Sequence, residues 1–161
     1  VASIFVRIVK FFISIGIPLI AGLIGSAFTT PAIPTWYATL VKPPLTPPSW
    51  VFGPAWTVLY ILSGIALYLV WSKGWEHKNV QVAIAIFGVQ LALNVLWSYL
   101  FFGLQSPFLA LAEIILLWIA VLMTIWTFYR VSTPAAILLI PYIIWVTFAG
   151  YLTYGINVLN P

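Results

Sequence analysis

Five continuous apolar runs, at about 8–28, 51–72, 80–102, 108–129 and 135–157, constrain this sequence more than any other feature. A hydrocarbon core of about 30 Å is crossed by roughly 20 residues of helix. Membrane β-strands would instead read as alternating segments of about ten residues. The runs are long and unbroken, so they predict helices. Between them stand breakers and polar residues: Thr30-Pro31 through Pro48, Ser72 through Asn79, Gly103 to Pro107, and Arg130 to Pro134. The expected fold class is an all-α membrane protein, a single domain over 1–161, with a Pro-rich loop between the first two of five transmembrane helices.

The charge inventory supports this. The 161 residues hold 6 Lys+Arg and 2 Asp+Glu, 5% charged against about 25% in soluble domains. With 64% hydrophobic residues and a mean hydropathy of +1.16, the chain cannot hydrate a soluble surface. A pI near 9.5 comes from six scattered cations, which leaves no footprint for nucleic acid. Zero Cys excludes disulfides and thiolate chemistry, and one His with two Glu predicts no metal site. Arg7, Lys10, Lys73, Lys78 and Arg130 fall on the N-terminal side of the bundle and only Lys42 on the other. The positive-inside rule then predicts an N-terminus inside and a C-terminus outside. Gly25-Ser26-Ala27 after a basic start invites a signal-peptide reading, but the apolar stretch exceeds the usual 7–15 residues. No repeat is visible, and an odd number of spans argues against a duplicated transporter.

The segment Trp36 to Tyr60 is the most informative. Pro43, Pro44, Pro47 and Pro48 impose a stiff, extended course with few backbone donors. Pro54 falls in the first turn of the second helix, where a missing N–H is harmless. Trp36, Tyr37 and Trp50 suit an interfacial belt. One reading is a rigid loop with anchors; the other is a lid over a cavity, with Trp36 and Trp50 clamping its ends.

The run W-Y-x-x-L-x-K-P-x-x-x-P-P-x-W-x-F-G-P-x-W-x-x-L-Y resembles the translocator protein family, also called tryptophan-rich sensory proteins or peripheral-type benzodiazepine receptors. Further blocks follow in order: Gln90 to Asn94 with Trp97 and Phe101-Phe102-Gly103, then Ala110 to Glu113, then Pro141 to Trp145 with Phe148-Ala149. The resemblance implies a five-helix bundle, usually a homodimer, with a pocket closed by the first loop. It also implies binding of porphyrins such as protoporphyrin IX and heme-type tetrapyrroles, and of isoquinoline-carboxamide and benzodiazepine ligands, with no required cofactor. Some members resemble photo-oxidative porphyrin-degrading proteins, and the tryptophans implicated there correspond to Trp56 and Trp145. Sterol-binding members carry a Tyr followed by a cation near the chain's end; Tyr151 and Tyr154 have none, and Thr153 replaces a common Asn. A similar pattern over Leu62 to Lys73 is hypothesis-grade.

Several residues carry both structural and functional readings. Trp56 and Tyr60, four apart, share a helix face and suit either bundle packing or a flat macrocycle. Phe52 precedes them by one turn, and Trp145 with the small Ala149 reads as pocket. Asn94, on a stripe with Gln90, Trp97 and Ser98, ranks as helix–helix glue ahead of ligand contact. Glu113, beside Ala112, is the one acid within a span, at an insertion cost of about 2.5–3.5 kcal/mol, and reads as structural or ligand-gating. His77, between Glu76 and Lys78, reads as solvated. Receptor or sensor is the leading function; light- and oxygen-dependent porphyrin breakdown, and tetrapyrrole or lipid transport, are the alternatives.

Overall fold

A computed structural model describes residues 3–161 and is helical apart from short connections. The helices are α1 (Ile4–Ala32), α2 (Phe52–Trp71), α3 (Lys78–Ser98), α4 (Pro107–Tyr129), α5 (Thr133–Leu138) and α6 (Ile140–Leu159). They form five apolar spans, Ile4–Ala32, Ser49–Trp71, Lys78–Gly103, Pro107–Tyr129 and Thr133–Leu159, so the chain is an integral multi-pass membrane protein. Helix starts follow local chemistry. Hydroxyls of Ser3, Ser106 and Ser132 accept from the N–H groups of Val6, Leu109 and Ala135. Each satisfies one donor that has no partner within its helix.

Three boundaries differ from expectation. α1 starts at Ile4 and continues through Thr30 and Pro31. A proline late in a helix removes a single donor, and the surrounding turns hold. After α3, residues Tyr99–Gly103 widen into a π turn, closed by Leu104 N–H donating to the Tyr99 carbonyl at 2.8 Å. That extra residue per turn lets the consecutive Phe101 and Phe102 both be buried. The fifth run divides at Leu139, because Pro141 cannot donate to the carbonyl four residues back and its ring collides with it.

α1 packs against α2 and α3, and α4 against α3, α5 and α6. α1 and α2 approach so closely that a Cβ on Gly64 would stand 2.6 Å from the Ile15 Cα. Small residues permit this in a membrane, where apolar burial does not itself drive helices together. One core cluster centres on Phe87, Phe128, Leu117, Val121 and Val146. A second, at the loop end, joins Ala32, Tyr37, Phe101, Phe102, Ala110 and Ile156.

Candidate ligand-binding site

Where the two clusters meet lies a cavity of about 530 Å³, within the roughly 300–1,000 Å³ of small-molecule sites. α2 contributes Phe52, Gly53, Trp56, Thr57 and Tyr60; the end of α3 and its π turn contribute Trp97, Ser98, Phe101 and Phe102. α6 adds Trp145, Ala149, Leu152, Thr153 and Ile156, while α1 supplies small residues including Gly22, Gly25 and Ser26. Ile33 and Tyr37 of the loop complete it.

The rings form a continuous wall. Trp56 stacks on Tyr60 (centroids 5.6 Å apart) and meets Trp145 edge-on at 6.3 Å, and Trp145 meets Phe52 at 6.2 Å. Across from them Trp97 stacks on Phe101 at 5.0 Å. Gly22 makes room for this wall: a Cβ there would lie 2.5 Å from the Tyr60 ring. The indole N–H groups of Trp97 and Trp145 are buried with no acceptor. An unpaired buried donor costs about 1–3 kcal/mol; both nitrogens are sealed behind their own rings, so it is the ring faces that Trp97 and Trp145 present to the cavity.

Behind the wall runs a chain of short hydrogen bonds. Tyr60 O–H donates to Asn94 Oδ1, Asn94 Nδ2 to Tyr142 Oη, and Tyr142 O–H to Gln90 Oε1, each 2.7 Å. Asn94 therefore positions Tyr60 from α3 and is no part of the cavity lining. Tyr142, which sequence reasoning missed as a functional residue, meets Trp56 edge-on at 6.2 Å. A Tyr in the turn before Trp145 was the available signal.

Other expected site residues stand apart. Ala112 is exposed on α4 and Glu113 is buried, with neither carboxylate oxygen partnered; neither lines the cavity. His77 and Glu76 are exposed, 3.7 Å apart. Among the described residues, no three His, Asp or Glu side chains gather to hold a metal.

The Pro-rich loop is fastened to α6. Asn160 Oδ1 accepts from Val41 N–H at 3.0 Å, and its Nδ2 donates to the Val41 carbonyl at 2.8 Å. Tyr151 O–H donates to the Pro44 carbonyl at 2.8 Å, and the buried Pro43 sits where a Gly155 side chain would be, 2.6 Å from an ideal Cβ. Tyr37 is buried, which pushes its phenol above the ordinary value, and the Lys42 ammonium lies 4.6 Å from its ring centroid. Trp36 packs edge-on against Phe101 at 5.4 Å. Pro47, Pro48 and Trp50 do not line the cavity, and Trp50 is 74% exposed.

Residues 14–159 match the TspO/MBR family model. The chain belongs to this family. It is 46% identical over 155 residues to the tryptophan-rich protein TspO of Chlorobaculum tepidum, covering 96% of this chain and 98% of the relative. It is 49% identical over 155 residues to the tryptophan-rich protein TspO of Archaeoglobus fulgidus, covering 96% of this chain and 99% of the relative. It is 38% identical over 139 residues to the translocator protein of Bos taurus, covering 86% of this chain and 82% of the relative. The TspO/MBR match takes in every cavity residue named above.

Proposed function

We propose that this protein is a membrane receptor for planar, hydrophobic small molecules, with porphyrins such as protoporphyrin IX the leading class and isoquinoline-carboxamide and benzodiazepine types also admitted. The observation that carries the reading is the cavity walled by the rings of Phe52, Trp56, Tyr60, Trp97, Phe101 and Trp145. Ring faces supply contact area to a flat ligand, and the few hydroxyls of the lining, Ser26 and Thr57 among them, are the polar groups that meet it. Titration of protoporphyrin IX, read by tryptophan quenching, tests it. Trp145→Ala and Trp97→Ala each remove ring area from the wall and should weaken binding by about 1–2 kcal/mol, roughly 5- to 30-fold. Unchanged affinity in both removes the aromatic wall from the reading.

A second reading is photo-oxidation of a bound porphyrin by dioxygen, favoured by the edge contact of Trp56 and Trp145 in the cavity wall. Illumination in air with protoporphyrin should bleach its Soret band in the wild type and less in Trp56→Phe. The protein is further proposed to be a homodimer. Gly22 is occupied by Tyr60 within the chain, whereas Gly88 and Ala92 on α3 are exposed and leave that small-xxx-small face free. Arg7, Lys10, Lys73, Lys78 and Arg130 on the N-terminal side, against Lys42 on the other, support an N-terminus inside and a C-terminus outside.

A further inference from the structure

α1 and α2 run antiparallel and touch over only part of their length. Gly64 lies against Ile15, and one turn-pair further on Gly22 lies against Tyr60. Stepping on from the Gly22–Tyr60 pair brings Ser26 level with Trp56 and its neighbour Thr57, and Thr30 level with Phe52 and its neighbour Gly53. Ser26, Thr30, Gly53 and Thr57 all line the cavity, and all four are exposed. Leu23, which also lines it, is 71% exposed. An ideal Cβ on Gly53 would meet nothing within 4 Å. The two helices are thus in contact at one end and leave a slot at the other, through which the cavity reaches the outer surface of the bundle.

The slot runs inward from the loop end, with Thr30 and Gly53 at its rim and Ser26 and Thr57 deeper in. At about 1.5 Å per residue, Ser26 is about 9 Å in from the end of α1 and Thr57 about 7.5 Å in from the start of α2. Its chemistry suits hydrocarbon. The Ser26 hydroxyl donates to the Leu23 carbonyl at 2.8 Å, and the Thr57 hydroxyl to the Gly53 carbonyl at 2.8 Å. Each satisfies its donor on its own helix, and so needs no water in a bilayer. The loop, by contrast, is held on α6 by Asn160, Tyr151 and the Pro43–Gly155 contact.

We propose that the cavity is loaded from the bilayer, through the slot between α1 and α2, so that its ligands are flat molecules already dissolved in the lipid. This rests on the cavity being the binding site. The loop is a fixed end wall, and exchange with the aqueous phase around it is the minor route.

The chain has no Cys, so introduced pairs carry the only thiols. A short, reducible thiol-to-thiol crosslinker would bridge Ser26→Cys with Thr57→Cys across the slot, and Val41→Cys with Asn160→Cys across the loop contact. Stopped-flow association and dissociation of protoporphyrin IX would be followed in lipid nanodiscs for each protein, before bridging, bridged, and after reduction. Compared with the same double variant unbridged, the slot bridge should slow both association and dissociation by at least tenfold, reversibly on reduction. The loop bridge should change either rate by less than twofold. A slot bridge without kinetic effect, or a loop bridge that slows exchange as much, overturns the lateral route. Absence of protoporphyrin binding to the unmodified protein would instead remove the receptor reading beneath it.

Discussion

Replacing Asn94 by Ala breaks the polar chain that sets Tyr60 in the cavity wall. Asn94 is 4% exposed and makes two side-chain hydrogen bonds of 2.7 Å, one to α2 and one to α6. Inside membranes such bonds average about 0.6 kcal/mol and reach about 1.7. The loss of two, with the Tyr60 donor stranded and Tyr142 left without one of its partners, sums to about 1–3 kcal/mol of stability. Tyr60→Phe removes one of the two bonds while keeping the ring stacked on Trp56. Unfolding in dodecylmaltoside titrated with SDS would give the stability of both single variants and the double. Because the two residues share a bond, the double variant should be less destabilised than the sum by about 0.6–1.7 kcal/mol. Strict additivity, with Asn94→Ala costing under about 0.3 kcal/mol, would refute the claim that this chain ties the helices together.

Gly64→Ala should destabilise by about 1–3 kcal/mol, because the new Cβ meets the Ile15 Cα at 2.6 Å and the Ser14 carbonyl at 2.8 Å, backbone that cannot swing aside. Gly16→Ala on α1, with nothing within 4 Å, should be neutral or stabilising in the same SDS assay. Asn160→Ala removes the bonds to both backbone groups of Val41, so hydrogen exchange at the Val41 N–H should accelerate by tenfold or more while exchange in α3 and α4 stays unchanged; equal acceleration everywhere would mean the residue serves global stability instead.

The spans were legible because hydropathy runs of bilayer length admit few alternatives. The Trp56–Tyr60 stack was legible too, since i, i+4 spacing on a helix fixes it. The rotation of α4 was not. Its apolar residues surround it on all sides, and lipid tails are as apolar as a protein core, so nothing in the pattern tells that Ala112 is exposed while Glu113 is buried. The Asn94–Tyr142 and Tyr142–Gln90 bonds join residues 48 and 52 apart, and depend on which helices become neighbours. Likewise, the prolines of the loop predicted stiffness, but its attachment to Asn160 and Gly155 required the path of α6.

The central claim is that the aromatic cavity binds a flat ligand, and Trp56 tests it most directly, since it touches Tyr60, Tyr142 and Trp145 within the wall. A fully buried Trp surface of 150–250 Å² at about 25 cal/mol/Å² caps its share near 4–6 kcal/mol, and only part of the ring faces the cavity. Equilibrium titration of protoporphyrin IX against wild type and Trp56→Ala, at matched helical content, should show a loss of about 1–3 kcal/mol, roughly 5- to 150-fold in Kd. The same Kd for both proteins would contradict the assignment of this cavity as the binding site.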